Sequence, residues 1–245
     1  MVFDYTPTHA RDGPATFLKD FTGFLQADAY GAYDGIYTGS AGRIIEVACW
    51  AHARHKFHDA QGTDPERALA AKAWIRQLYD VEDEAKELSS PERQRLRQER
   101  SVPLLTTFGQ WLQAQQAQVL PKSPIAAALK YTLNQWEALN RYTTDGDLHI
   151  DNNLSERTLK LIGIGRTNWL FVGSDQGGQT AAVLFSFTAT CKHLKINTFA
   201  YLRDVLERLP TQPADRLEEL LPHRWHAARQ PAPVPEPSIR EPTTP

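Results

Sequence analysis

The rhythm of apolar positions along this 245-residue chain changes after the first 60 residues. Before that point, short apolar runs alternate with turn residues. Met1 to Tyr5 predicts a strand, Thr6 to Gly13 is turn-rich, and Pro14 to Phe21 reads as a short helix opened by its proline. Gly23 to Ala27 predicts a short strand ending at Asp28, and Tyr30 to Tyr37 a short aromatic helix or turn. Arg43 to Trp50 is the strongest strand pattern, and helical character begins at Ala51 and carries His52, Arg54, His55, Lys56 and His58.

From Asp64 to Asn140 the composition shifts to Ala, Gln, Glu, Arg and Leu, with Leu69, Ala73, Ile75, Leu78 and Val81 at helical spacing. Pro91 marks a new helix start, Pro103 a kink or division, and Pro121 to Pro124 the break before a helix over Ala127 to Leu139. Thr143 to Asp147 is a polar loop. Asn168 to Gly173 reads as a brief extended segment, Gly178 to Leu194 as an apolar and hence buried helix, and Phe199 to Leu209 and Leu217 to Leu221 as smaller helices. Beyond Arg229 the proline-rich sequence lacks apolar periodicity and predicts a disordered tail. The expected fold class is therefore α/β. Its parts are a first core segment over 1–60, an all-α insertion over 61–145, a second core segment over 146–195, a helical element over 196–229 and the tail over 230–245. The two core segments must pack together to cover the sheet on both faces, which would bring Asp28 near Glu156.

Composition sets limits on function. With 27 Lys+Arg against 29 Asp+Glu the net charge is -2, so nucleic-acid binding cannot be argued from overall charge and must come from local clusters. Two cysteines, Cys49 and Cys191, exclude a disulfide-dense scaffold and suit a reducing compartment. No apolar run approaches the ~18 residues needed to span a membrane. Cytoplasmic residence without membrane partners is the expectation.

The chemistry concentrates in the run Asp151-Asn152-Asn153-Leu154-Ser155-Glu156-Arg157, followed by Lys160 and Arg166. Asp151 or Asn152 suits a helix N-cap, Glu156 falls near the start of that helix, and Lys160 lies one turn beyond Glu156 on the same face. The plain alternative is a capped helix with a solvated charged face. Asp28, at the carboxyl end of a buried strand, occupies a common active-site placement, or else caps the segment that follows it. Together, Asp28 and Glu156 supply hard oxygen ligands suited to Mg²⁺ or Mn²⁺, the ions of phosphodiester chemistry. Cys49-x-x-His52-x-x-His55-x-x-His58 resembles a zinc spacing, but on one helix the four residues span about 13.5 Å, too far for a single tetrahedral ion. Cys49 reads instead as a buried strand residue and His52 as a neighbour of the cleft. Cations cluster at Arg43, at Arg54 and Lys56, at Arg157, Lys160 and Arg166, and at Lys192 to Lys195, with Trp50 and Trp169 beside them. Cations with aromatics suit a DNA backbone and unstacked bases; the alternative is solvated faces over core tryptophans. Arg93 to Arg100, alternating with Gln and Glu, reads as a solvated helix.

Five motifs in consistent order carry a resemblance to DDE transposases of the insertion-sequence-66 type. They are Asp4-Tyr5-Thr6-Pro7, Leu25 to Tyr33, Cys49 to Phe57, Asp151 to Arg157, and Gly165 to Phe171. The resemblance implies an RNase H-like core, incomplete at its N-terminus and interrupted by the helical insertion, with a small C-terminal helical element. It assigns the second catalytic Asp to Asp28 and the catalytic Glu to Glu156, both holding Mg²⁺ or Mn²⁺ for cleavage of transposon ends and joining to target DNA. It implies DNA contacts at Arg54, Lys56, Arg157, Lys160, Arg166 and Trp169, and a homo-oligomer or a full-length transposase as partner. His55 stands where the family usually has Arg. The family's first catalytic Asp lies upstream of the motif matched at Asp4 to Pro7, so the chain carries two of three carboxylates and is expected to be impaired on its own. A non-catalytic DNA-binding or transposase-assembly module is the alternative, and a nuclease acting on another substrate is a third reading.

Overall fold

The computed structural model describes residues 1–8, 10–28, 31, 33–169 and 173–230, apart from the side chains of residue 161 and residues 166–169. The expected extended segment over 170–172 and the tail beyond 230 lie outside the described residues. The chain divides into two compact units, Thr8–Asn168 and Met1–Pro7 with Trp169–Pro245.

The larger unit opens with α1 (Asp12–Phe17), β1 (Gly23–Gln26), α2 (Asp34–Gly39) and β2 (Ile44–Val47). Among the described residues β1 and β2 form a two-stranded parallel sheet in the register Gly23↔Ile44 to Gln26↔Val47. A parallel pair cannot be joined by a tight hairpin, and the crossover here runs through α2. Ile44, Val47, Ala48 and Cys49 are buried, and the chain passes directly into α3 (Trp50–Ala60).

One face of α3, made of Trp50, Ala53, Phe57 and Ala60, is sealed into the main core. The core is completed by the helices of the insertion, α4 (Pro65–Glu84), α5 (Ser90–Leu96), α6 (Val102–Gln116), α7 (Pro124–Asn134) and α8 (Trp136–Asn140). Trp50 is its centre. Its ring meets Trp136 edge-on at 5.9 Å, and its Nε1 donates to the Leu139 carbonyl at 2.8 Å, satisfying the one polar atom of a fully buried indole.

The helix starts follow local chemistry. The Asp64 carboxylate accepts from the Arg67 amide ahead of Pro65, Ser89 and Glu92 form a reciprocal capping box ahead of Pro91, and Ser123 accepts from the Ala126 amide ahead of Pro124. Before Pro103 the helix widens into a π turn over Arg97–Ser101, where the Val102 amide reaches the Arg97 carbonyl. Proline cannot donate to the ladder, so the chain changes pitch there.

Several expectations change. The buried stripe of α4 is Ala68, Ala71, Ile75, Leu78 and Val81, whereas Leu69 is 51% exposed and Ala73 also faces solvent. Each lies off the axis of that stripe. The helix expected over Ala127 to Leu139 breaks at Gln135 into α7 and α8. Arg97 is not on a solvated face: it is 1% exposed and forms a two-point ion pair with Glu82 at 2.6 and 2.8 Å.

A 3₁₀ turn over Arg141–Thr144 leads to Gly146, where a Cβ would come within 1.8 Å of the Ser90 backbone oxygen. Gly146→Ala is therefore expected to cost about 1–3 kcal/mol, because backbone rather than a flexible side chain must yield. Urea unfolding should show a lower midpoint at unchanged slope. Beyond this corner lies α9 (Asn153–Trp169), whose helical backbone includes Asn168 and Trp169 and so replaces the start of the expected extended segment.

In the smaller unit, residues 1–5 are not a strand. The Phe3 amide donates to Ser186 Oγ at 2.8 Å, the Met1 ammonium to Thr190 Oγ1 at 2.8 Å, and Tyr5 Oη to Asp175 Oδ1 at 2.8 Å, all on α10 (Asp175–His193). Helix hydroxyls thus take the place of a neighbouring strand. Gly178 allows the Tyr5 ring to approach, since a Cβ there would meet it at 2.3 Å. α10 is less buried than its composition predicts, with Val183 and Leu184 about half exposed. Cys191, Ile196 and Tyr201 form a second core with α11 (Thr198–Arg208) and α12 (Pro222–Ala227). Tyr201 Oη donates to the Leu220 carbonyl at 2.7 Å.

Candidate carboxylate site

The carboxyl ends of the two strands are tied to the run of chain that enters α9. Gln26, the last residue of β1, donates through Nε2 to the His149 carbonyl at 2.7 Å, and the Trp50 amide, just past β2, donates to the Ile150 carbonyl at 3.1 Å. Asp28 follows Gln26 by two residues and is exposed, next to the buried Ala27. Burial pushes the Tyr131 phenol up to about 12, with smaller contributions from Cys49, Asp28 and Glu46. The Tyr37 phenol is raised in the same way, chiefly by burial, with Asp28 again adding to the negative field.

Asp151 is the cap of α9. Its Oδ1 accepts from the Asn153 amide at 3.1 Å, while Oδ2 accepts from Asn153 Nδ2 at 2.6 Å and from Tyr79 Oη at 2.8 Å. Asn152 contributes its backbone carbonyl, which accepts from the Glu156 amide at 3.2 Å. The Asp151 carboxylate is thus occupied by structural donors, and Glu156 is the acidic side chain of the first turns that remains half exposed. Tyr79 is held neutral, its pKa raised first by burial and then by the Asp151 charge it bonds, against a smaller opposing effect of Arg54.

Glu156 has one close partner in this geometry, His52, whose Nε2 lies 3.2 Å from Oε1. An ionised Glu156 accepts the Nε2 hydrogen, and His52 Nδ1 is then left buried without a hydrogen-bond partner. The polar part of α3 splits into two faces. At 100° per residue, His52 and Lys56 share one face, while Ala51, Arg54, His55 and His58 share another. Lys56 sits over the Tyr131 ring at 5.6 Å, so Arg54 and Lys56 belong to different surfaces rather than one patch. On α9, Arg157 and Lys160 are exposed; the side chains of Arg166 and Trp169 lie outside the described residues. Trp50 belongs to the core and is closed to any base.

The zinc reading of Cys49 finds no support. The thiol is buried and its pKa raised, chiefly by burial, which favours the protonated form over the thiolate a metal needs. For a hard divalent ion, the donor chemistry of Asp28 and Glu156 fits. Such an ion takes one or two carboxylates and completes its shell with water and phosphate oxygens. Among the described residues, no three His, Cys, Asp or Glu side chains converge on one point as a metal cage.

Local pattern could not reveal the Tyr79–Asp151 bond, which spans 72 positions, or the meeting of His52 with Glu156. The one available signal was the placement of a charged residue after each apolar strand.

Fold and site together define an α-rich protein with a small parallel sheet, whose strand ends are anchored to a glutamate-bearing helix. The chain belongs to the IS66 transposase family: the profile described as "Transposase IS66 family" matches residues 1–180, and that of the "IS66 C-terminal element" matches residues 186–223. It is similar to the uncharacterized protein y4hP of Sinorhizobium fredii (strain NBRC 101917 / NGR234), at 34% identity over 230 residues, covering 88% of this chain and 42% of that protein. The uncharacterized protein y4jD of the same strain is 36% identical over 217 residues, covering 86% and 42%. The chain therefore spans less than half the length of these relatives. No solved structure matches it. Among the described residues, no helix is long and apolar enough to cross a membrane.

Proposed function

We propose that this chain forms the part of a DNA-transposing enzyme that brings Asp28 and Glu156 to the scissile phosphodiester, within an RNase H-like core. The observation that carries this reading is the anchoring of the β1 end to the entry of α9, through Gln26 and His149. It ties a strand-end aspartate and a helix-borne glutamate to one framework. Held by these carboxylates, Mg²⁺ or Mn²⁺ would supply charge neutralisation at the phosphate and activate water or a 3′-hydroxyl. The chain's own residues do the rest. His52 orients Glu156 through the Nε2 contact, and Asp151, saturated by Tyr79 and Asn153, fixes the start of the helix that carries it. Arg157 and Lys160 lie on exposed α9 positions beside Glu156 and would meet the DNA backbone, as would Arg54 and Lys56 from α3. Arg166 and Trp169 complete the proposed DNA contacts. Transposon ends and target DNA are the proposed partners, together with further copies of the protein or a longer transposase.

One observation favours a second reading, a non-catalytic DNA-binding or assembly module: the described residues do not gather three metal-binding side chains. A chimera separates the two. The segment preceding the matched region in y4hP is fused to this chain and assayed with Mg²⁺ or Mn²⁺ on transposon-end DNA. Cleavage and joining that disappear in Asp28→Asn and Glu156→Gln support catalysis. Joining that survives either substitution contradicts it, and DNA binding without joining in any form leaves the assembly role.

A further inference from the structure

A cavity of about 600 Å³ opens between α3, α4 and the first residue of α9, lined by Ala51, Arg54, His55, His58, Lys72, Tyr79 and Asn153. Its lining contains no carboxylate, in a chain whose net charge is -2. The acids nearest to it are engaged: Asp151 accepts from Tyr79 and Asn153, and Asp59 lies 3.6 Å from His55 Nε2. Lys72 Nζ bonds the neutral Gln61 Oε1 at 2.9 Å and keeps its full charge toward the opening. Arg54 is exposed and in no ion pair among the described residues. His55 and His58 stack on each other, centroids 6.2 Å apart and planes inclined by 27°, and form a flat aromatic wall. Cavities of about 300–1,000 Å³ suit ligands larger than a bare ion.

We infer that this cavity seats a phosphodiester of a DNA strand, with Arg54 and Lys72 on the phosphate and the His55–His58 wall beside the adjoining sugar or base. The inference rests on the proposed function and extends it, because Lys72 and Tyr79 belong to the helical insertion. The insertion thereby becomes part of the DNA path rather than a spacer. Position supports this. Asn153, which lines the cavity, precedes Glu156 by one turn of α9, and Ala51, also in the lining, is the neighbour of His52, which contacts Glu156. A strand seated in the cavity runs on toward the carboxylates.

The test is binding of the 245-residue chain to a fluorescent single-stranded oligonucleotide over a range of salt concentrations. Each lost phosphate contact should lower the salt slope by about 0.7 on single strands. Arg54→Ala with Lys72→Ala is therefore expected to lower it by about 1.4. Lys86→Ala with Arg95→Ala, exposed cations away from the cavity, should leave it unchanged. An unchanged slope in the first pair, or an equal fall in the second, overturns the inference. On the unaltered chain, the His55 and His58 imidazole resonances should shift with the oligonucleotide and much less with inorganic phosphate at equal phosphate concentration. Equal shifts would mark a general anion site, and no shift an unused cavity. No binding by the unaltered chain would also remove the inference, while the proposed catalysis is judged separately by joining activity in the chimera.

Discussion

Glu156→Gln is expected to lower strand joining in the chimera by at least about 10³-fold while leaving DNA affinity unchanged. Glutamine keeps the shape of the side chain and, through its amide oxygen, can still accept from His52 Nε2, so the 3.2 Å contact survives. What is lost is the negative charge a divalent ion requires. Residues that act as a unit fall together, so Asp28→Asn should do comparable damage, and the double variant should be little worse than either single one. Asp28 is exposed at a strand end and Glu156 is half exposed, so neither change should unfold the protein. Mobility-shift and joining assays on the same preparations separate chemistry from binding. A Glu156→Gln protein within tenfold of the parent would remove Glu156 from the chemistry.

Arg97→Ala is expected to destabilise the larger unit by about 3–5 kcal/mol, the usual penalty for breaking a buried ion pair from one side. The guanidinium bonds both Glu82 oxygens and also donates to the Tyr142 and Asp145 carbonyls at 2.9 and 2.8 Å, with the Tyr142 ring 5.1 Å away. Alanine would strand a carboxylate that is 15% exposed, together with two carbonyls at the corner that leads toward α9. Glu82→Leu with Arg97→Met should recover much of the loss, because no charge is then left unpaired. Chemical unfolding of the single and double variants measures both. A single variant within 1 kcal/mol of the parent would mean that water compensates the pair and the site is not tightly buried.

What could be read along the chain depended on the range of the interaction responsible. The helices of the insertion announce themselves because their signals are local: Asp64 before Pro65, Ser89 before Glu92, Ser123 before Pro124. β1 and β2 were legible as apolar runs closed by turn residues. Met1 to Tyr5 has the same alternation, yet its amides find hydroxyls at Ser186 and Thr190, 183 to 189 positions away, so the strand pattern yields to a contact no window could contain. Arg97 was misread for the same reason. Its alternating charged neighbours look solvated, and only the fold delivers Glu82. At the site, the strand-end position of Asp28 and the capped helix holding Glu156 were visible, together with the choice between two caps. The structure selects Asp151 through donors contributed by Tyr79 and Asn153. The cationic cavity was half visible, as Arg54, His55 and His58 on one helix face, whereas Lys72 arrives from a different helix.

The central claim is that Asp28 and Glu156 hold one ion or ion pair together. Iron-mediated hydroxyl-radical cleavage tests it most directly: Fe²⁺ replaces Mg²⁺, peroxide is added, and the polypeptide is cut next to the bound ion. Cuts are predicted near residue 28 and near residue 156 in the same sample, both suppressed by excess Mg²⁺ and both lost in either Asp28→Asn or Glu156→Gln. Cuts at only one of the two positions, or cuts that persist in Glu156→Gln, would contradict it.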